Sequence, residues 1–188
     1  MKKIFFIGGM ILCLNLISNA QSTHFGLKAG LNSSSINVED GNDFDSKTGF
    51  HVGGLAHIHI TKHFAVQPEI MYSTQGGKAR LYTRDLDYIN VPVLAQYMAG
   101  NGFRLQTGPQ IGFLVSAKDE AGINESKIID ELNKADLAWS FGASYVSKMG
   151  LGLDARYNLG LSNMNENKTP PAAKNRVFQV GAFYQFEH

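Results

Sequence analysis

Two sets of residues in this sequence have side chains and spacing that could do chemistry. One is a His-x-His pair, His57 and His59, with Ser73, Ser140 and Ser144 pointing the same way from other segments. A serine beside a histidine base is the start of a nucleophilic site, and two histidines on one strand face can ligate a metal. The other set is five charges, Lys28, Glu69, Arg104, Asp154 and Arg156, each embedded in an otherwise apolar stretch. Charges placed there must pair, or they cost more than the fold returns. The serines lack the G-x-S-x-G context of a nucleophile elbow, and no third metal ligand is marked beside the histidines. These residues therefore mark no catalytic, cofactor or metal site, and the five charges are expected to form a paired internal cluster.

The elements that must position them are strands. Over Asp136–Ser162, Leu137, Trp139, Phe141, Ala143 and Tyr145 occupy every second position. After the turn at Ser147-Lys148-Met149-Gly150, Leu151, Leu153, Ala155, Tyr157, Leu159 and Leu161 do the same. Side chains alternate between the two faces of a strand, so each strand has one oily face and one small or polar face. Asp154 and Arg156 lie on the polar face. A filled soluble sandwich does not want them inside; a barrel with lipid outside and a polar lumen does.

The rest of the chain repeats the pattern. Alternation runs over residues 24–32, 48–60, 64–74, 87–99, 103–117 and 177–186. The connections between these strands go long, short, long, short, long, short, long. That rhythm predicts an all-β fold: an eight-stranded antiparallel up-and-down transmembrane β-barrel with short periplasmic turns and long extracellular loops. In the third long loop, Ile128, Ile129 and Leu132 have helical spacing among charged residues, which predicts a short amphipathic helix. Pro68, Pro92 and Pro109 fall inside strands, where bulges are expected because a barrel has no edge to hide them. Trp139, Tyr145, Tyr157, Tyr97, Tyr72, Phe64 and Tyr184 face outward, several near strand ends, as an aromatic girdle would be.

Residues 1–20 are a separate text. Lys2 and Lys3 precede an apolar core, and Ser18-Asn19-Ala20 offers small residues for cleavage. The expected division is a signal peptide over 1–20 and one barrel domain over 21–188. The single cysteine, Cys13, belongs to that leader, so the mature chain has no disulfide framework. The whole chain carries a formal charge of +1, and loss of the leader leaves 15 basic against 16 acidic residues. Neither value suggests a nucleic-acid partner.

The runs Asp87–Leu94 (DYINVPVL), Leu105–Gly112 (LQTGPQIG) and Leu153–Leu161 (LDARYNLGL), in this order, resemble the PorT-like outer-membrane β-barrel proteins. The resemblance covers nearly the whole mature chain. It departs at Asn90, where that family often has an acidic residue, and at the tail, where Glu187 and His188 follow the terminal aromatic Phe186. It implies an integral outer-membrane barrel of about eight strands and no particular activity. The expected function is a non-enzymatic envelope or surface-binding role with a polar, largely filled lumen. The alternative is a narrow porin or transport-associated channel; a soluble ligand-binding barrel and a lipid-modifying barrel enzyme rank below both. The expected partners are outer-membrane lipid and the barrel-assembly machinery during insertion, with the chain itself a monomer. The polar loops name no extracellular partner.

Overall fold

In a computed structural model of the chain, the described residues are 22–38, 43–121, 124–129, 132–164 and 172–186. The leader proposed for residues 1–20 lies outside them.

The strands are β1 (Thr23–Val38), β2 (Asp45–His59), β3 (Phe64–Lys78), β4 (Thr83–Gly100), β5 (Phe103–Ala121), β6 (Asn124–Lys127), β7 (Ala135–Val146), β8 (Leu151–Gly160) and β9 (Ala173–Gln185). All pairings are antiparallel. β1 pairs with both β2 and β9, and β4 pairs with β5, so eight staves close into a barrel and β6 hangs on the extended end of β5. Closure leaves no open edge in the barrel wall itself, and only the extension of β5 beyond β7 stands clear of it.

The alternation read from the sequence sorts the faces. Leu27, Ile70, Leu153 and Phe141 are at least half exposed on the outside. Their neighbours Lys28, Glu69, Asp154 and Gln106 are buried within. The outward aromatics gather near strand ends: at the short-turn end Phe64 and Tyr97 pack at 5.3 Å between ring centres, and Tyr184 and Phe186 at 5.5 Å. Trp139 faces outward too, and its indole N–H donates to Thr107 Oγ1 at 2.9 Å, so no unpaired donor is offered to the surroundings.

The short turns are tight. At the β4–β5 turn, Gly100, Asn101 and Gly102 all have positive φ, a region glycine and asparagine enter at least cost. At the β7–β8 turn, Ser147 Oγ donates to the Leu151 carbonyl at 2.8 Å.

Three expectations are corrected. First, the staves run further at the long-loop end than alternation alone indicates. β1 continues to Val38, β3 to Lys78 and β4 begins at Thr83, so the second long loop shrinks to residues 79–82. Second, the third long loop carries strand, not the expected amphipathic helix: Asn124–Lys127 pairs with Lys118–Ala121. β5 stays paired with β4 as far as Glu120 but runs past the start of β7, and the chain returning at Asn124–Lys127 satisfies the backbone groups on that open side. Ile128 and Leu132 are buried even so, and residues 130–131 between them lie outside the described set. Third, the register does not shift at Pro68, Pro92 or Pro109. Each keeps step with one neighbour, Pro68 with Val93, Pro92 with Gln110 and Pro109 with Trp139, while pairing lapses on its other side. A proline lacks one donor, so it removes a rung without needing an extra residue. Shifts occur elsewhere, between Ser46 and His51 and between Asp87 and Tyr88.

Candidate functional site: the barrel lumen

Climbing β1 from the short-turn end, the inward residues are His24, Lys28, Asn32, Ser34 and Ile36, and they mark the layers of the lumen. The lowest layer is the mouth. His24, His57 and His59 lie in one group, with ring centres 4.5 Å apart for His57–His59 and 5.6 Å for His24–His59. His24 sits opposite His57 in the β1–β2 register. Among the described residues, no three His, Cys, Asp or Glu side chains form a ready metal cage.

Above the mouth lies the charged layer. Arg156 on β8 reaches across to Glu69 on β3, the stave diametrically opposite, with Nη1 and Nη2 donating to Oε2 and Oε1 at 2.9 and 2.8 Å. Lys28 Nζ lies 2.5 Å from Asp154 Oδ1 and 3.9 Å from Glu69 Oε1. Arg156 also lies 3.5 Å from Asp154. Gln67 donates to Glu69 at 2.8 Å, and Gln106 donates to Asp154. Two cations and two carboxylates, all with buried side chains, thus neutralise one another. Further bonds from amides fill the remaining lone pairs, the condition under which a buried ion pair is tolerable.

Of the five charges the sequence singles out, the structure brings together Lys28, Glu69, Asp154 and Arg156. Arg104 stands apart. It lies nearer the mouth, where Nη2 donates to Gln185 Oε1 at 3.1 Å and Nη1 approaches His57 Nδ1 at 3.5 Å. The oxygens of Asp154 are already taken by Lys28 and Gln106, which leaves Arg104 no carboxylate to face among the described residues. The serines and histidines also separate: Ser140 Oγ donates to Asn158 and Ser73 Oγ accepts from Asn32 and Gln75, while neither bonds to a histidine.

The third layer is neutral and was not foreseen as a unit. Asn32 is its hub. Its amide donates to the Phe50 carbonyl, Ser73 Oγ and the Thr74 carbonyl, each at 2.9 Å. Its oxygen lies 2.7 Å from His51 Nδ1 and accepts from Gln179 at 2.9 Å. Gln179 in turn accepts from Asn158 at 2.9 Å. The glycines on the inner face make room for these long side chains: a Cβ at Gly30 would press on His51, and one at Gly142 would meet Gln106 and the backbone of Arg156.

The top layer is apolar. Ile36, Leu86, Tyr88, Leu114, Ala117, Ile128, Leu132, Met164 and Ala173 form one buried cluster at the long-loop end, with Val38, Phe44 and Ile129 against it. Loop backbone ties it down: Met164 N donates to the Ala173 carbonyl and Asn133 N to the Met164 carbonyl. Inward Ile36, Leu86, Tyr88 and Leu114 signalled this lid in the sequence, because they place bulky apolar groups at positions where lower rungs are polar. Outside the lid, Arg84 forms a two-point pair with Asp119 at 2.7 and 2.8 Å, and Lys47 pairs with Asp85.

The arrangement can hold charge and exclude solute. The serines singled out from the sequence, Ser73 and Ser140, have no histidine base in reach. At the exposed mouth Ser22 Oγ lies 3.1 Å from His59 Nδ1, with no third group orienting the pair among the described residues.

Comparison with known proteins agrees with this geometry. A family model described as outer membrane protein beta-barrel domain matches residues 19–166. No curated protein matches the chain. Among solved structures, neisserial surface protein A is similar with a TM-score of 0.65 at 17% identity, covering 89% of this chain and 100% of its own. Ail, the attachment invasion locus protein of Yersinia pestis, is similar with a TM-score of 0.56 at 16% identity, covering 88% and 99%. At such identity the likeness is one of fold.

Proposed function

The chain belongs to the outer membrane protein beta-barrel domain family, and from that premise we propose that it is a non-enzymatic envelope protein, closed to solute, that presents its long-loop end at the cell surface. The observation that carries this reading is the double obstruction of the lumen. Side chains of the charged layer meet across the full width of the tube, and an apolar lid lies above them. An eight-stranded barrel has an interior only wide enough for side chains to fill.

The long-loop end supports a surface role. Its staves extend past the lid, where Arg84–Asp119 braces the adjacent strands β4 and β5 and Lys47–Asp85 reaches past β3 to join β2 to β4. Leu81, in the loop after β3, is 84% exposed, an apolar tip on an otherwise polar end. Within the family, the finer assignment is to the PorT-like group, on the strength of the motifs at residues 87–94, 105–112 and 153–161. Export through residues 1–20, insertion by the barrel-assembly machinery and a monomeric state in outer-membrane lipid complete the proposal.

The test is conductance of the refolded mature protein in a planar bilayer. A closed barrel gives no steps above background. Regular steps would replace this reading with that of a narrow channel. Mass spectrometry of the protein from purified outer membranes checks the leader, since cleavage after Ala20 leaves Gln21 as the first residue.

A further inference from the structure

We infer that the short-turn mouth of the barrel is a binding site for a small oxyanion of the phosphate class, held by Arg104. Arg104 is buried, yet it takes part in no ion pair among the described residues, unlike Lys28 and Arg156 one layer above. A desolvated cation without a counter-charge is costly, so the site is short of one negative charge.

The groups around Arg104 are short of acceptors in the same place. Its Nη1 is a donor, so His57 Nδ1 is the acceptor in their 3.5 Å contact and the ring proton resides on Nε2. That Nε2 is buried without a hydrogen-bond partner. So is Gln185 Nε2, on the amide whose oxygen accepts from Arg104. So is the hydroxyl of Ser144, the residue opposite Arg104 in the β5–β7 register. The acceptor left over nearby, Gln96 Oε1, faces the His57 ring and can take its proton, which still leaves the Gln185 amide, the Ser144 hydroxyl and the guanidinium short of an acceptor.

These donors come from β5, β2, β9 and β7, so they enter the mouth from several sides of the tube. That suits a tetrahedral oxyanion better than a planar carboxylate, and charge-assisted bonds from arginine supply the grip. His24 and His59, partly exposed beside His57, form the rim facing solvent. A free phosphate and a phospholipid headgroup carry the same chemistry.

The experiment uses tag-free mature protein refolded in a phosphate-free glucoside detergent. Inorganic phosphate is titrated against chloride at equal ionic strength, with thermal unfolding and the NMR shift of the His57 ring as readouts. The expected result is a saturable rise in midpoint with a parallel His57 shift. Arg104→Gln should weaken the apparent affinity at least about tenfold, the loss of one charged hydrogen bond or more. Gln185→Leu should weaken it too, and serves where Arg104→Gln does not refold. A second arm compares nanodiscs of phosphatidylglycerol with nanodiscs of a phosphate-free glycolipid. Extra stability in the phospholipid, lost in Arg104→Gln and not increased by added phosphate, identifies the headgroup as the source and supports the site. Equal effects of phosphate and chloride, or an undiminished phosphate effect in both variants, overturn the proposal. So does phosphate binding seen only after deletion of Glu187 and His188, since the counter-charge would then be the chain's own tail.

Discussion

Arg156 and Glu69 meet across the diameter of the barrel through two parallel hydrogen bonds of 2.8 and 2.9 Å, joining β8 to β3, staves that share no edge. Wall hydrogen bonds connect only adjacent strands, so this pair acts as a strut that the ladder cannot replace. Removing one partner leaves the other buried with only a longer contact, Glu69 to Lys28 at 3.9 Å or Arg156 to Asp154 at 3.5 Å, at a cost of up to about 3–5 kcal/mol. Arg156→Ala and Glu69→Ala should each lower stability by that order in urea unfolding from detergent micelles. The double variant Glu69→Leu/Arg156→Met should recover much of the loss, because it leaves no orphan charge. Additive losses in the double variant would show that the two side chains do not act as a pair.

The two obstructions are independent, which sets an order for opening the lumen. Arg156→Ala alone should remain silent in a planar bilayer, since the apolar lid lies above the gap it makes. Tyr88→Ala combined with Leu86→Ala should also remain silent, because the charged layer below is intact. Only the combination of lid and strut variants should conduct. Conductance from Arg156→Ala by itself would show that the lid does not seal.

Much of this was legible in the chain, and the missing parts have physical causes. Alternation and the long–short rhythm of connections were enough for the closed eight-stave barrel and for which face each charge takes, because a period of two leaves no freedom once the outside is oily. The partner of each charge was less legible. Arg104 and Arg156 share a face and a charge, but pairing depends on height and on competition, and Lys28 and Gln106 already occupy Asp154. The strand ends were misplaced because Ser33–Asn37 and Gln75–Lys78 are polar enough to read as loop. They are strand because the staves continue around the lid, whose core residue Ile36 comes from the first of these extensions and Leu86 from the β4 segment paired with the second. The strand at Asn124–Lys127 was not legible because apolar spacing shows which residues are covered, and not whether a free strand edge lies within reach. The helix expected about Ile128–Leu132 is not seen among the described residues, and residues 130–131 lie outside them.

The outer face predicts a cost that depends on the solvent. Ala155 lies midway along β8, exposed between Ala143 and Val180. Ala155→Arg should destabilise the barrel in phospholipid by about 2–4 kcal/mol, the range for a cation at the midplane of a barrel's lipid face. Ala155→Ser should cost far less. Equal stability of the two variants in bilayers would mean that this face meets water.

The central claim is that the oily face touches acyl chains, and the molecule carries its own probe, since Trp139 is the single tryptophan in the chain. It is 38% exposed on the outer wall. The direct measurement is its fluorescence in vesicles whose acyl chains are brominated near the interface or near the centre. The account predicts strong quenching by brominated lipid and little by an aqueous quencher such as iodide. Emission untouched by bromine and quenched by iodide, or buried from both, would contradict it.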